Sequence, residues 1–243
     1  GFQRETKWKR LLGRCLAGFL AVAAIGQIPA LAYCTEYSET YYNPSGALTV
    51  VESDWGEFFG TSDGCAVVYD LGADLYTVYN KSEATRRVPP CSTYKIYSAL
   101  NALEQRIIAP VANTLVWDGT AYAFESWNQD QTLRSAMQES VNWYFKFLDQ
   151  SAGTAQMEDF LTEISYGDCN FGDDSDSFWN GSGVKISALE QVELLVKLYR
   201  NDFGFEDGNI TAVKDAMLLC EEGLYGKTGT GRLDGANVAG WFI

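Results

Sequence analysis

The sequence contains no histidine. That excludes Ser-His-Asp and Cys-His catalysis and any imidazole-ligated metal. Six cysteines occur, at positions 15, 34, 65, 91, 169 and 220, and no two form a C-x-x-C pair. That argues against a zinc site. Basic residues are scarce, with 18 Lys and Arg against 32 Asp and Glu. A net charge of −14 argues against a nucleic acid partner and against an anionic membrane surface. No apolar run reaches the ~20 residues of a spanning helix. What remains, 243 residues that are 47% hydrophobic and 21% charged, suits a globular protein with a real core.

The first 32 residues differ from the rest. Arg4, Lys7, Lys9, Arg10 and Arg14 precede an apolar stretch from Leu16 to Ile25, and Ala30-Leu31-Ala32 supplies small residues two apart. This is the pattern of a secretory signal peptide, with an uncleaved membrane anchor as the alternative. Export to the cell envelope follows, with membrane contact only if the segment is retained. Export permits disulfides, but spacing does not pair the cysteines, and free buried thiols are the default. The chain starts at Gly1 and stops in the apolar Trp241-Phe242-Ile243, which reads as a fragment cut within or just after a strand.

Residues 33–63 form a polar, tyrosine-rich lead-in with a first strand over Ala47–Val51. Gly64–Asp70 and Asp74–Asn80 read as a hairpin. A helix is predicted from Ser92 to about Gln105, then loop through Gln129, helices over 131–138, 143–150 and 154–164, and a Gly/Asp/Ser/Asn-rich Ω-like loop over 167–183. Ser187 and Glu190 make a capping box opening a helix to Arg200. A further helix covers 210–219, and strands cover Tyr225–Gly231 and Asn237–Ile243. Strands at both ends with helices between predict an α+β fold. An antiparallel sheet joins the N- and C-terminal strands, and the site lies in the cleft beside the helices.

The chain is organised around Pro89-Pro90-Cys91-Ser92-Thr93-Tyr94-Lys95. Two prolines fix an extended approach to the helix. Ser92 and Lys95, three apart, share one helix face, so the amine can take the hydroxyl's proton. A free lysine, with a pKa near ~10.4, is a poor base at neutral pH until burial or modification changes it. S-x-x-K alone is common, as an N-cap serine with a solvated lysine. Here Ser140-Val141-Asn142 and Lys227-Thr228-Gly229 follow in order, and the ordered set is the signature of penicillin-recognising serine enzymes.

With the three motifs together, the chain resembles class D (oxacillinase-type) serine β-lactamases and the related β-lactam sensor domains, from about Gly64 to Ile243. The likeness is densest in Pro90–Ile96, Ala136–Tyr144, Tyr166-Gly167-Asp168, Phe178–Ala188 and Tyr225–Gly231. The family adds one more strand and a final helix. The resemblance implies Ser92 as nucleophile, with the backbone N–H groups of Ser92 and Thr230 as oxyanion hole. Ser140 relays a proton to the leaving nitrogen, and Lys227 supplies positive field. Asn142, Thr228, Gly229 and Thr230 bind substrate. Lys95 reacts with carbon dioxide to give an anionic carbamate base, held by the Trp179 indole N–H; no other cofactor and no metal is implied. Asp168 stands where the family usually has Asn, in a structural role. Asn142 stands where class D enzymes usually carry a valine that keeps the lysine pocket dry, so the amide admits water and weakens the carbamate.

The expected function is an exported serine β-lactamase acting on β-lactam antibiotics through an acyl-enzyme. The alternatives are a slowly deacylating β-lactam sensor domain and a peptidoglycan transpeptidase.

Overall fold

The computed structural model describes residues 38–43, 46–171, 183–220, 223–233 and 236–243, with the side chains of 38–48 and 232–238 left aside. In chain order the elements are β1 (Ser38–Asn43), β2 (Gly46–Glu52), α1 (Gly56–Phe59), β3 (Ala66–Asp70), β4 (Leu75–Tyr79) and α2 (Lys81–Ala84). A 3-10 turn (Cys91–Tyr94) leads into α3 (Lys95–Glu104), followed by α4 (Leu133–Gln138), α5 (Asn142–Ala152), α6 (Thr154–Glu163), α7 (Ala188–Arg200) and α8 (Asp207–Ala216). The short strands β5 (Leu218–Cys220) and β6 (Leu224–Tyr225) precede β7 (Thr228–Leu233) and β8 (Ala236–Phe242). The fold is α+β, as the order of elements predicts.

Helix α3 is the axis of the core. Every residue from Lys95 to Leu103 is buried. A helix buried on all sides must be surrounded, and α4, α5, α6 and α8 all pack on it. The Ser187/Glu190 capping box forms in both directions and satisfies two of the orphan N–H groups of α7. That helix lies against β3, whose β-branched run suits a half-buried strand.

The strand pairing differs from expectation. The N-terminal ladder has the order β1-β2-β4-β3, and β2 runs parallel to β4. The C-terminal hairpin β7-β8 is a separate ladder among the described residues. Among the described residues the C-terminal hairpin shares no strand pair with the N-terminal ladder and packs instead on the segment that leads into α3. Trp241 donates its indole N–H to the Pro89 carbonyl at 2.9 Å, and Val88 bridges Ile186. The lead-in stretch also holds more structure than its composition suggested. Ser38 pairs with Val51 and Asn43 with Gly46, so the tyrosine-rich run is a strand of its own.

Sequence reading placed one helix from Ser92. The structure divides it, because the Thr93 hydroxyl turns back to the Pro90 carbonyl at 2.6 Å and tightens the first turn to 3-10. The expected 210–219 helix begins three residues earlier and yields to β5 after Ala216. Of the Ω-like loop, residues 172–182 lie outside the described residues. Its start is fixed by Gly167 at φ +59, where an added Cβ would lie 2.1 Å from the Lys185 carbonyl. Asp168 accepts the Lys185 N–H at 2.9 Å, consistent with a structural role.

Candidate active site

Ser92, Lys95, Ser140, Asn142 and Lys227 converge although they come from three separate stretches. The 3-10 turn and α3 carry the first pair. Lys95 Nζ donates to Ser92 Oγ at 3.0 Å and to Asn142 Oδ1 at 2.8 Å, and lies 5.7 Å from the Phe145 ring centroid. The lysine is 2% exposed. Burial pulls its pKa down to about 8, against an opposing pull from Asp149 and then Cys91. At pH 7 that leaves about a tenth of the amine neutral, against well under a thousandth for a free lysine, which answers much of the objection that lysine is too weak a base.

Ser140 sits in the turn between α4 and α5 with φ 55, in the left-handed region. The Val141 N–H bonds back to the Ala136 carbonyl at 2.9 Å, which closes the end of α4. Non-glycine residues rarely occupy that region, and such strain clusters at functional positions. Cys91, just before Ser92, is likewise left-handed at φ 51. Lys227 Nζ donates to Ser140 Oγ at 3.0 Å and to the Thr228 carbonyl at 2.8 Å. It is 3% exposed, and burial, with Lys95 nearby, lowers its pKa to about 7. Two hydroxyl–amine pairs therefore face one cleft, each hydroxyl within hydrogen-bond reach of an amine able to accept its proton.

Strand β7 forms the opposite wall. Gly229 and Gly231 face the 3-10 turn, and Thr228 and Thr230 are exposed. A Cβ on Gly229 would meet the Pro90 carbonyl at 3.1 Å and the Thr93 methyl at 3.2 Å. The glycine of K-T-G is thus accounted for by close packing. Thr228 pairs with Phe242 and Thr230 with Gly240, which fixes the strand's register.

Trp179 lies outside the described residues. Cys91 is buried, and burial pushes its thiol up to about 11, consistent with packing. Cys65 is also buried, Cys169 is half-buried and Cys220 is exposed; all four thiols are free, so the expectation of buried thiols fails at Cys220. Among the described residues, no group of three or more His, Cys, Asp or Glu side chains is placed to hold a metal ion. No described helix is long and apolar enough to cross a membrane.

Two residues of this region escaped sequence reading. Ser98 follows Lys95 by one turn, and Asp149 follows Asn142 by two turns, on the face that α5 turns toward α3. Ser98 Oγ donates to Asp149 Oδ1 at 2.5 Å. The available signal was an acidic residue among the core-facing positions Tyr144, Phe145 and Leu148 of an amphipathic helix.

Residues 61–243 match the family described as the penicillin binding protein transpeptidase domain. The regulatory protein BlaR1 of Bacillus licheniformis is 40% identical over 238 residues, covering 96% of this chain and 38% of that protein. The probable β-lactamase YbxI of Bacillus subtilis is 38% identical over 200 residues, covering 81% of this chain and 74% of that one. Among solved structures, the C-terminal domain of the B. licheniformis BlaR penicillin-receptor superposes with a TM-score of 0.73 at 41% identity, covering 76% of this chain and 77% of that one. A class D β-lactamase from Bacillus subtilis superposes with a TM-score of 0.70 at 37% identity, covering 73% of this chain and 76% of that one. The likeness to class D enzymes and β-lactam sensor domains, read from the motifs, is borne out, and the chain belongs to the penicillin binding protein transpeptidase domain family.

Proposed function

We propose that this chain is acylated by β-lactams at Ser92 and gives up the acyl group slowly, so that it works as a β-lactam receptor domain. The reading rests above all on one feature. The lysine amine is shared between the Ser92 hydroxyl at 3.0 Å and the Asn142 amide oxygen at 2.8 Å. Neutral Lys95 takes the proton of Ser92 as Oγ attacks the lactam carbonyl. The new ester C–O bond forms as the lactam C–N bond breaks, and the departing nitrogen takes its proton from Ser140, replenished through Lys227. The backbone N–H groups of Ser92 and Thr230 hold the developing oxyanion. The Thr228 and Thr230 hydroxyls, with Lys227, hold the substrate carboxylate.

Deacylation needs a base that activates water. A carbamate on Lys95 would supply one, but its construction requires a free, neutral amine. Here Asn142 engages that nitrogen from the position where class D enzymes usually place valine. The BlaR relatives support the same reading; the chain spans only 38% of BlaR1, so a receptor's wider signalling is part of the proposal. Export through the basic and apolar stretch before residue 33, as a cleaved leader or a retained membrane anchor, is part of the same proposal.

Hydrolysis is the second reading. It is favoured by the lowered lysine pKa of about 8, which leaves part of the amine neutral and so reactive toward carbon dioxide, and Trp179 is then the group proposed to hold the carbamate. Stopped-flow mixing with a chromogenic cephalosporin separates the two. A stoichiometric burst followed by little turnover is expected of the receptor. Sustained turnover that rises with bicarbonate, with or without a burst, supports the hydrolase, and the absence of both burst and turnover contradicts both.

A further inference from the structure

Among the described residues, four charged side chains are buried: Lys95, Lys227, Glu193 and Asp149. Lys227 is engaged by Ser140, and Glu193 lies 3.5 Å from Lys197. Asp149 is 7% exposed and belongs to neither arrangement. Its Oδ1 accepts the Ser98 hydroxyl, its Oδ2 makes no well-formed hydrogen bond among the described residues, and the Tyr94 hydroxyl lies near enough to favour the carboxylate. A buried carboxylate whose donors are only hydroxyls, with no cation in direct contact among the described residues, is costly, so the fold retains it against a penalty.

Its placement suggests what it does. Lys95 and Ser98 are successive on one face of α3, and Asn142, Phe145 and Asp149 are successive on the facing side of α5. The pairs Lys95–Asn142 and Ser98–Asp149 join the two helices, so the carboxyl lies one layer behind the lysine in the same water-poor region. We infer that Asp149 is a positioning residue that, held by Ser98, sets the charge on Lys95. As a carboxylate it holds the proton on the amine; as a neutral acid it releases the amine to serve as base or to take up carbon dioxide. This inference rests on the reading of Ser92 and Lys95 as nucleophile and base.

The surroundings leave few competing charges. From α3 the groups acting on the carboxyl are Ser98 and Lys95, and from the 3-10 turn the Tyr94 hydroxyl. Helix α6 contributes the Met157 thioether, which accepts from Asn101 at 2.9 Å, and its nearest acid in sequence, Glu158, is half-buried. Arg134 on α4 and Lys146 on α5 itself are exposed. Burial, opposed by Ser98, Tyr94 and then Lys95, raises the Asp149 pKa to about 7. Asp149 in turn is the first of the groups opposing the fall of the Lys95 pKa. Each group is thus among the charges that act on the other, so the titration of one depends on the state of the other.

The test follows acylation by benzylpenicillin against pH, read as adduct by intact-protein mass, in wild type, Asp149→Asn and Ser98→Ala. In Asp149→Asn the acid limb of the acylation rate should move down by about one pH unit, the effect of removing a nearby opposite charge. The carbon-13 carbamate signal at fixed bicarbonate should grow. Ser98→Ala removes the donor that favours the carboxylate, so its limb should move the same way by less. A limb that stays in place in folded variants, whatever the absolute rate, overturns the inference, because a merely structural carboxyl would change rate without moving the profile. Should Asp149→Asn not fold, the carbon-13 titration of aspartate-labelled wild type decides. A step near neutral pH that is displaced in Lys95→Ala is expected. A step in the ordinary carboxylate range, or one indifferent to the lysine, overturns it. If wild type forms no adduct on Ser92, the acylation reading fails first, and the aspartate titration still decides the coupling to Lys95.

Discussion

Replacing Asn142 with valine removes the amide oxygen that accepts from Lys95 Nζ at 2.8 Å and leaves the Ser92 contact in place. A hydrogen bond from a charged donor contributes about 1.5–3 kcal/mol and one from a neutral amine about 1. The amide therefore favours the protonated lysine by roughly 1–2 kcal/mol, or about one pKa unit. From its value of about 8, Lys95 should fall to about 7. At pH ~7.5 the neutral fraction then rises from about a quarter to about three quarters. Carbon dioxide reacts only with the neutral amine, so carbamate at limiting bicarbonate should increase about threefold. The valine also excludes water that the exposed Asn142 admits. Carbon-13 NMR with labelled bicarbonate reads the carbamate, and mass spectrometry over time reads the lifetime of the penicilloyl adduct. More carbamate with a shorter-lived adduct is expected. Unchanged carbamate and an unchanged lifetime in a folded variant would refute the role given to Asn142.

Other consequences follow from the same geometry. Wild-type acylation should fall as pH drops below about 8, because burial sets the pKa of Lys95 there and only the neutral amine takes the Ser92 proton; stopped-flow rates against pH check this. Burial raises Asp149 in the fold from 3.8 to about 7, so between those values the folded chain binds more protons than the unfolded chain. Its contribution to stability should therefore decline as pH rises through that window, and Asp149→Asn should flatten the decline in thermal melts. Gly167→Ala should destabilise by about 2–4 kcal/mol, since it combines a left-handed φ with a backbone overlap at Lys185; urea unfolding measures it. Ser187→Ala should cost about 1 kcal/mol through loss of the capping box, with acylation unchanged.

Much of the site was legible because its chemistry is local in sequence. Ser92 and Lys95 are one turn apart, and the capping box at Ser187 and Glu190 is a four-residue pattern that the structure forms in full. Asn142 was marked by its departure from the family's valine, although its bond to Lys95 required the packing of α5 on α3. What pattern reading missed depends on contacts between distant stretches. The β2–β4 parallel pairing joins strands whose connection encloses a whole hairpin partner, and nothing in either strand specifies it. The strand at Ser38–Asn43 was obscured by polar residues, although its tyrosines and threonine favour extended chain. Asp149 is ordinary in composition and gains meaning only from burial beside Ser98.

The central claim is that Ser92 is a nucleophile poised by a buried amine at 3.0 Å. Its most direct measurement is peptide mapping after brief exposure of the folded protein to benzylpenicillin. One penicilloyl group per chain, carried on the peptide containing Ser92 and absent from Ser92→Ala, is the expected result. A folded protein that carries no adduct, or carries it on another residue, would contradict the account.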